Sequence, residues 1–135
     1  MTVHVNEIRN RIHFIGRTLT QAMKACRLDR NVPRDLIACV RQLCRKSKQA
    51  DLALQCREET SFRNSMSELV RLSHCAQRAV AAMRHLNFDV KSAVILAHIE
   101  LMALMTPPFA VSEFRNLVFT PFTRRLGDRK LLGLT

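Results

Sequence analysis

The chain has 135 residues, 47% of them hydrophobic and 24% charged, which suits one folded domain and excludes a wholly disordered protein. Only three glycines and four prolines are present, so turn-rich sheet sandwiches and barrels are disfavoured and an all-α fold is favoured. The formal net charge is +11, and 17 of the 22 basic residues are arginines. Such an excess is typical of proteins that bind nucleic acid or acidic proteins, although a solvated surface gives the same composition.

The first predicted helix spans about residues 6–29. Its apolar residues recur at alternating spacings of four and three, the pattern of an amphipathic helix that packs in a bundle. They are Ile8, Ile12, Ile15, Leu19, Ala22 and Cys26. Gly16 lies inside this helix and costs about 1 kcal/mol relative to alanine, but its small size favours the close approach of a neighbouring helix.

The second and third helices are predicted over residues 33–56 and 65–83. Pro33 suits the first position of a helix, where no backbone N–H is needed. The polar stretch 57–64 ends or bends the second helix. Ser65 followed by Glu68 has the spacing of a capping box, and Ser61 is an alternative start. Because no glycine or proline separates the two helices, a single bent helix stays open as the alternative.

The fourth helix is predicted over about residues 90–105, with Asn87 and Asp89 as its cap. It is apolar on every side, which is typical of a helix at the centre of a bundle or covered by a second subunit. Its apolar run of 13 residues is shorter than the roughly 20 that span a membrane. We therefore expect a homodimer with no membrane segment. The predicted interface residues are Ile95, Ile99, Met102, Phe114, Phe119 and Phe122.

The sequence divides into a helical bundle over residues 1–106 and a C-terminal extension over 107–135. Pro107 and Pro108 end the fourth helix, and the extension that follows is basic and rich in phenylalanine. It contains one short predicted helix, from about Ser112 to Val118. We expect an antiparallel four-helix bundle, with the extension packed on the bundle or on a partner subunit.

Signatures of catalysis or cofactor binding are missing from the sequence. Zinc-ligand spacing, a nucleophile elbow and a glycine-rich phosphate loop are all absent, so we expect no enzyme, metal or cofactor. His74 and His98 are the one conceivable metal pair across two helices. Glu100 lies in an apolar helix and is expected to pair with an arginine of another helix or subunit. The odd number of cysteines and the polar N-terminus predict free, mostly buried thiols in a reducing, bacterial cytosol.

Basic residues form heptad-spaced rows away from the apolar positions, and these rows are the strongest functional signal. The predicted binding residues are Arg34, Arg41, Arg45, Lys46 and Lys48 on the second helix, Arg17 and Lys24 on the first, and Arg71 and Arg78 on the third. Such rows predict a small cytosolic protein that contacts nucleic acid non-specifically, through phosphates. The alternative is a protein-interaction module without catalytic activity: an adaptor, a chaperone or a regulator of an acidic protein partner. A purely solvated surface also stays open.

Overall fold

The computed structural model describes residues 5–106, which form four α-helices with no strand among them. The helices are α1 (Val5–Leu28), α2 (Arg34–Gln55), α3 (Glu59–Ala81) and α4 (Phe88–Leu104). The all-helical prediction is therefore confirmed for this part of the chain. The extension 107–135, with its predicted short helix, lies outside the described residues. Within 5–106 no helix has both the length and the apolar character needed to cross a membrane.

The helices pack in a closed cycle around one core. α1 contacts α2 and α4, and α3 contacts the same two helices from the opposite side. The predicted apolar row of α1 faces this core, α2 and α3 each contribute a row of apolar residues at helical spacing, and α4 adds one side of its surface. Representative buried residues are Ile8, Ile12, Ile15 and Leu19 of α1, Leu36, Val40 and Leu43 of α2, Met66, Leu69 and Val80 of α3, and Val90, Val94 and Leu101 of α4.

Two polar contacts fix how α1 lies against its neighbours. Arg11 Nη1 lies 2.9 Å from Glu100 Oε1, which joins the first half of α1 to the end of α4. The expected pairing of Glu100 with an arginine of another helix is thereby confirmed. His13 Nε2 lies 3.0 Å from Asp51 Oδ1, which joins the same half of α1 to the end of α2.

The junction between α2 and α3 differs from the prediction. α3 begins at Glu59, so neither Ser61 nor Ser65 starts it, and Ser65 is buried inside the helix. The first turns of α3 are mostly polar, but they pack against the bundle because Phe62 within them is completely buried. α2 ends because Arg57 adopts a left-handed backbone conformation with φ of 57°. The Glu58 N–H then donates to the Ala53 carbonyl at 2.9 Å, the hydrogen bond of a Schellman motif.

The starts of α2 and α4 follow the predicted chemistry with small shifts. Pro33 is the residue before α2 and not its first residue, because its ψ of 145° is extended. The Asn87 side chain accepts hydrogen bonds from the N–H groups of Asp89 and Val90, at 2.7 and 3.3 Å, and so caps α4 as predicted. α4 itself begins at Phe88, two residues earlier than predicted.

α4 forms a wall of the bundle, so the first of the two alternatives, a central helix, is wrong for the described residues, and cover by a second subunit stays a prediction. Phe88 is 77% exposed, Leu96 40% and Ile99 55%. Of the other predicted interface residues, Ile95 and Met102 are half-buried, because they lie between the core side and the outer side of the helix. The remaining three, Phe114, Phe119 and Phe122, lie outside the described residues.

Candidate functional site

A groove of about 430 Å³ runs between α1 and α2 on the outer surface of the bundle. We call it the basic groove, because five cationic side chains line it and no carboxylate among the described residues does. The five are Lys24 and Arg27 of α1 and Arg41, Arg45 and Lys48 of α2. The groove therefore concentrates positive charge in a concave site between two rigid helices.

The helical repeat explains why these side chains converge. Lys24 and Arg27 are three residues apart on α1, and Arg41, Arg45 and Lys48 follow at spacings of four and three on α2. Residues at these spacings share one face of a helix. The apolar positions beside them hold α1 and α2 together, so the two cationic faces border the same groove.

The positive charge of the basic groove is not compensated by carboxylates within residues 5–106. None of its five cations pairs with a carboxylate within residues 5–106. By contrast, Arg11, Arg63 and Arg71 lie within 2.9, 3.4 and 2.7 Å of glutamate oxygens. Like charges held together repel one another, and a bound polyanion relieves that repulsion. The charge of the groove therefore attracts anionic groups more strongly than neutral ones.

The Cys44 thiol lies in the basic groove and is half-buried there. Burial raises the pKa of this thiol above its ordinary value, and the nearby Lys48 and Arg27 partly oppose that rise. The thiol is therefore protonated at neutral pH, which makes it a poor nucleophile. Cys44 forms part of the groove surface, and its thiol reacts slowly.

The structure divides the nine predicted basic residues. Four of them, Lys24, Arg41, Arg45 and Lys48, lie in the basic groove, and Arg17 lines an adjoining cavity. Arg27 was outside the predicted set, although its spacing from Lys24 is the signal that places it on the same face. The structure does not bring the other four into the groove: Arg34, Lys46, Arg71 and Arg78.

Each of these four residues has a different position. Arg71 donates to Glu68 on α3 and thereby lowers the pKa of that carboxyl, and Lys46 adds a weaker lowering effect. Lys46 therefore lies on the side of α2 that faces α3, away from α1. Arg78 is exposed on α3, which does not border the groove, and Arg34 is the exposed first residue of α2.

The adjoining cavity has a volume of about 350 Å³ and shares Thr20, Cys44 and Lys48 with the basic groove. We call it the seam cavity, because it follows the line of contact between α1 and α2. Gly16 forms part of its wall, and Asp51 lines it on the α2 side. The groove and the cavity are therefore neighbouring parts of one continuous surface.

The two histidines that the sequence paired do meet across α3 and α4. The ring centroids of His74 and His98 are 4.7 Å apart, and His98 Nδ1 lies 3.0 Å from Ser73 Oγ. Burial lowers the pKa of His98, and His74 lowers it further. Within residues 5–106, no group of three histidine, cysteine or acidic side chains is arranged to hold a metal ion. We assign no metal to this pair.

The cysteines are free, but the prediction that most are buried is wrong. Cys26 alone is buried, whereas Cys39 and Cys44 are half-buried and Cys56 and Cys75 are exposed. Cys56 follows the last residue of α2, and Cys75 lies on an outward position of α3, which accounts for their exposure. The positions of Cys56 and Cys75 in the sequence are out of step with the apolar residues of their helices, and this spacing indicates exposure.

Comparison with known protein families, with curated proteins and with solved structures gives no match. The surface features of the chain itself are therefore the basis for a proposed function. The strongest such feature is the basic groove, because it combines concave shape, rigid walls and unpaired charge.

Proposed function

We propose that the protein binds nucleic acid non-specifically through the basic groove, by contacts to phosphates, and that it is not an enzyme. The observation that supports this proposal is the convergence of five cations in one groove with no carboxylate among the described residues that line it. Arginine presents a planar fork of donors that matches phosphate oxygens, and lysine binds phosphate as a point charge. Each such contact releases counterions from the nucleic acid, which favours binding.

The dimensions of the groove fit a short stretch of phosphate backbone. Arg41 and Lys48 are seven residues apart, which is about 10 Å along α2. One strand of B-form DNA carries a phosphate about every 3.4 Å along its axis, so this length spans about three intervals, or roughly four successive phosphates. Lys24 and Arg27 face the same stretch from α1.

We also propose that neighbouring helices run antiparallel and that the protein is located in a bacterial cytoplasm. The contacts of Arg11 with Glu100 and of His13 with Asp51 support an antiparallel order of neighbouring helices. The five cysteines, none of them in a disulfide, support a reducing compartment such as a bacterial cytoplasm. An acidic protein is the alternative ligand for the same groove, since carboxylates also pair with arginine forks.

A salt titration tests the proposal. Binding to a fluorescently labelled random-sequence duplex is followed by anisotropy between about 50 and 200 mM salt. Five phosphate contacts give a slope of log K against log salt of about −4.5, or a roughly 500-fold loss of affinity over this range. Absence of binding at the lowest salt, or a slope near zero, rejects the proposal.

The alkylation rate of the Cys44 thiol gives an independent test of whether the ligand covers the basic groove. Saturating duplex should slow the alkylation of Cys44, because the thiol lies among the cations that bind the phosphates. Cys75 is exposed on α3 and serves as the control whose alkylation rate stays the same. Mass spectrometry of the modified peptides reads both rates. If the duplex binds and leaves the Cys44 rate unchanged, the basic groove is not the binding site.

A second candidate function, protein interaction, is favoured by the outer side of α4. Phe88, Leu96 and Ile99 are exposed there, and soluble monomers rarely expose large apolar patches. We propose that this side of α4 forms a homodimer interface. Light scattering should give a dimer mass for the wild type and a monomer mass for Leu96→Asp with Ile99→Asp. A monomeric wild type at high protein concentration rejects the homodimer.

A further inference from the structure

We propose that the seam cavity receives one unpaired base of a single-stranded nucleic acid whose phosphates lie in the basic groove. This inference rests on the proposed function and narrows the ligand from nucleic acid in general to single strands. The groove alone explains phosphate binding, which duplexes and single strands share. The cavity beside it adds a feature that only an unstacked base uses.

Size and position support a small planar ligand. The cavity of about 350 Å³ lies at the lower end of the roughly 300–1,000 Å³ typical of small-molecule sites. It is also continuous with the groove through Thr20, Cys44 and Lys48. A nucleotide joins a phosphate to a base through one sugar, so its two parts need neighbouring sites of this kind.

The apolar lining of the cavity suits one face of a base. Ile12 and the backbone at Gly16 provide apolar surface on α1, and Cys44 provides it on α2. Helices α1 and α2 are close here: a Cβ atom added at Gly16 would lie 3.4 Å from Ser47 Oγ. Because the helices touch at this point, a base would lie across the line of contact, with one face on this apolar surface.

Polar groups on the other side of the cavity suit the edge of a base. Asp51 Oδ2 accepts a hydrogen bond from Gln55 Nε2 at 2.9 Å. Asp51 Oδ1 lies 3.0 Å from His13 Nε2 and 3.9 Å from Arg9 Nε, yet neither nitrogen is oriented to donate to it. Asp51 Oδ1 is thus a buried acceptor without a hydrogen bond among the described residues. Because Oδ1 is sealed from solvent, a base edge would meet Asp51 Oδ2, which accepts one hydrogen bond from Gln55 and has capacity for a second, from an N–H group of the base.

Charge sets the direction in which a nucleotide enters. The basic groove carries five cations and no carboxylate among the described residues that line it, whereas the cavity sets Asp51 against Arg17 and Lys48, so a phosphate is attracted more strongly to the groove. The phosphate therefore belongs in the groove and the neutral base in the cavity. A base in a duplex is stacked and paired, so it cannot enter, whereas single strands expose their bases readily.

The test compares three labelled probes of about 10 nucleotides: a random single strand, the corresponding duplex, and a single strand whose sugars lack bases. At about 0.1 M salt, we expect the abasic strand to bind about fivefold more weakly than the strand with bases, the lower end of the range for one stacked base, because the described lining of the cavity contains no phenylalanine, tyrosine or tryptophan. Equal binding of the two strands overturns the base pocket but leaves the groove proposal standing. Failure of all three probes to bind overturns both proposals.

Two variants at one position locate the effect. Gly16→Leu fills the cavity and should remove the advantage of the base-containing strand over the abasic strand, with duplex affinity unchanged. Gly16→Ala adds only a methyl group at contact distance and should keep that advantage. If the leucine variant does not fold by circular dichroism, Asp51→Ala replaces it and should reduce the same ratio. An unchanged ratio in the folded variant overturns the assignment of the base to this cavity.

Discussion

Replacing Arg41 and Arg45 together by glutamine should lower both the affinity for nucleic acid and its dependence on salt. The two residues are one helical turn apart on α2, both are exposed, and both line the basic groove. Each phosphate contact contributes about −0.9 to the slope of log K against log salt for a duplex. Loss of two contacts should change the slope from about −4.5 to about −2.7.

The difference is large enough to measure by anisotropy. Over the fourfold range from about 50 to 200 mM salt, the wild type should lose affinity roughly 500-fold and the double variant roughly 40-fold. The fold should survive the change, because both side chains point outward and neither pairs with a carboxylate within residues 5–106. Exposed substitutions of this kind usually shift the free energy of unfolding by less than about 0.5 kcal/mol.

A matched control separates the groove from the overall charge. Arg78→Gln with Arg84→Gln removes the same two charges from exposed positions on or just after α3. Its salt slope should stay at the wild-type value, since α3 does not border the groove. If the control lowers the slope as much as the groove variant does, the binding comes from net charge and the reasoning is refuted.

Three further changes test the fold. Gly16→Ala should raise the free energy of unfolding by about 0.5–1 kcal/mol, because alanine favours helix and its methyl meets nothing closer than 3.4 Å; a lower melting temperature contradicts this. Asn87→Ala should cost about 1 kcal/mol in urea unfolding through loss of the α4 cap, and unchanged stability argues against that cap. Burial and His74 lower the pKa of His98, so its stabilising effect is complete above the ordinary value of 6.5 and is lost as pH falls through the lower folded pKa. His98→Gln should therefore reduce the fall in melting temperature between about pH 7.5 and 5.5, whereas the exposed His85→Gln should not; equal pH dependence in both refutes this.

The apolar periodicity predicted most of the fold because burial follows helix spacing directly. Even the polar Ser47, which follows the buried Leu43 by one helical turn on α2, is buried, since its hydroxyl donates to the Cys44 carbonyl of its own helix at 3.1 Å. The start of α3 could not be predicted in the same way. A left-handed residue that ends a helix is usually glycine, and here an arginine, Arg57, takes that conformation.

The candidate site was predictable only in part, for a related reason. Spacing assigns a side chain to a face of its own helix, but it does not say which helix borders that face. Lys46 and Lys48 illustrate the limit, because they are two residues apart and approach α3 and α1 respectively. The seam cavity depends on how closely α1 and α2 pack at Gly16, which no single-helix pattern contains.

The left-handed conformation of Arg57 also decides whether the chain folds on itself. Residues 34–81 contain no glycine or proline, so a right-handed Arg57 would allow one continuous rod about 70 Å long in place of the α2–α3 hairpin. In such a rod the faces that α2 and α3 now present to each other would be free to pack against the same faces of a second molecule. A short hinge of this kind is the usual route to domain swapping. The three-residue link between α2 and α3 thus separates a closed single-chain bundle from an exchanged pair.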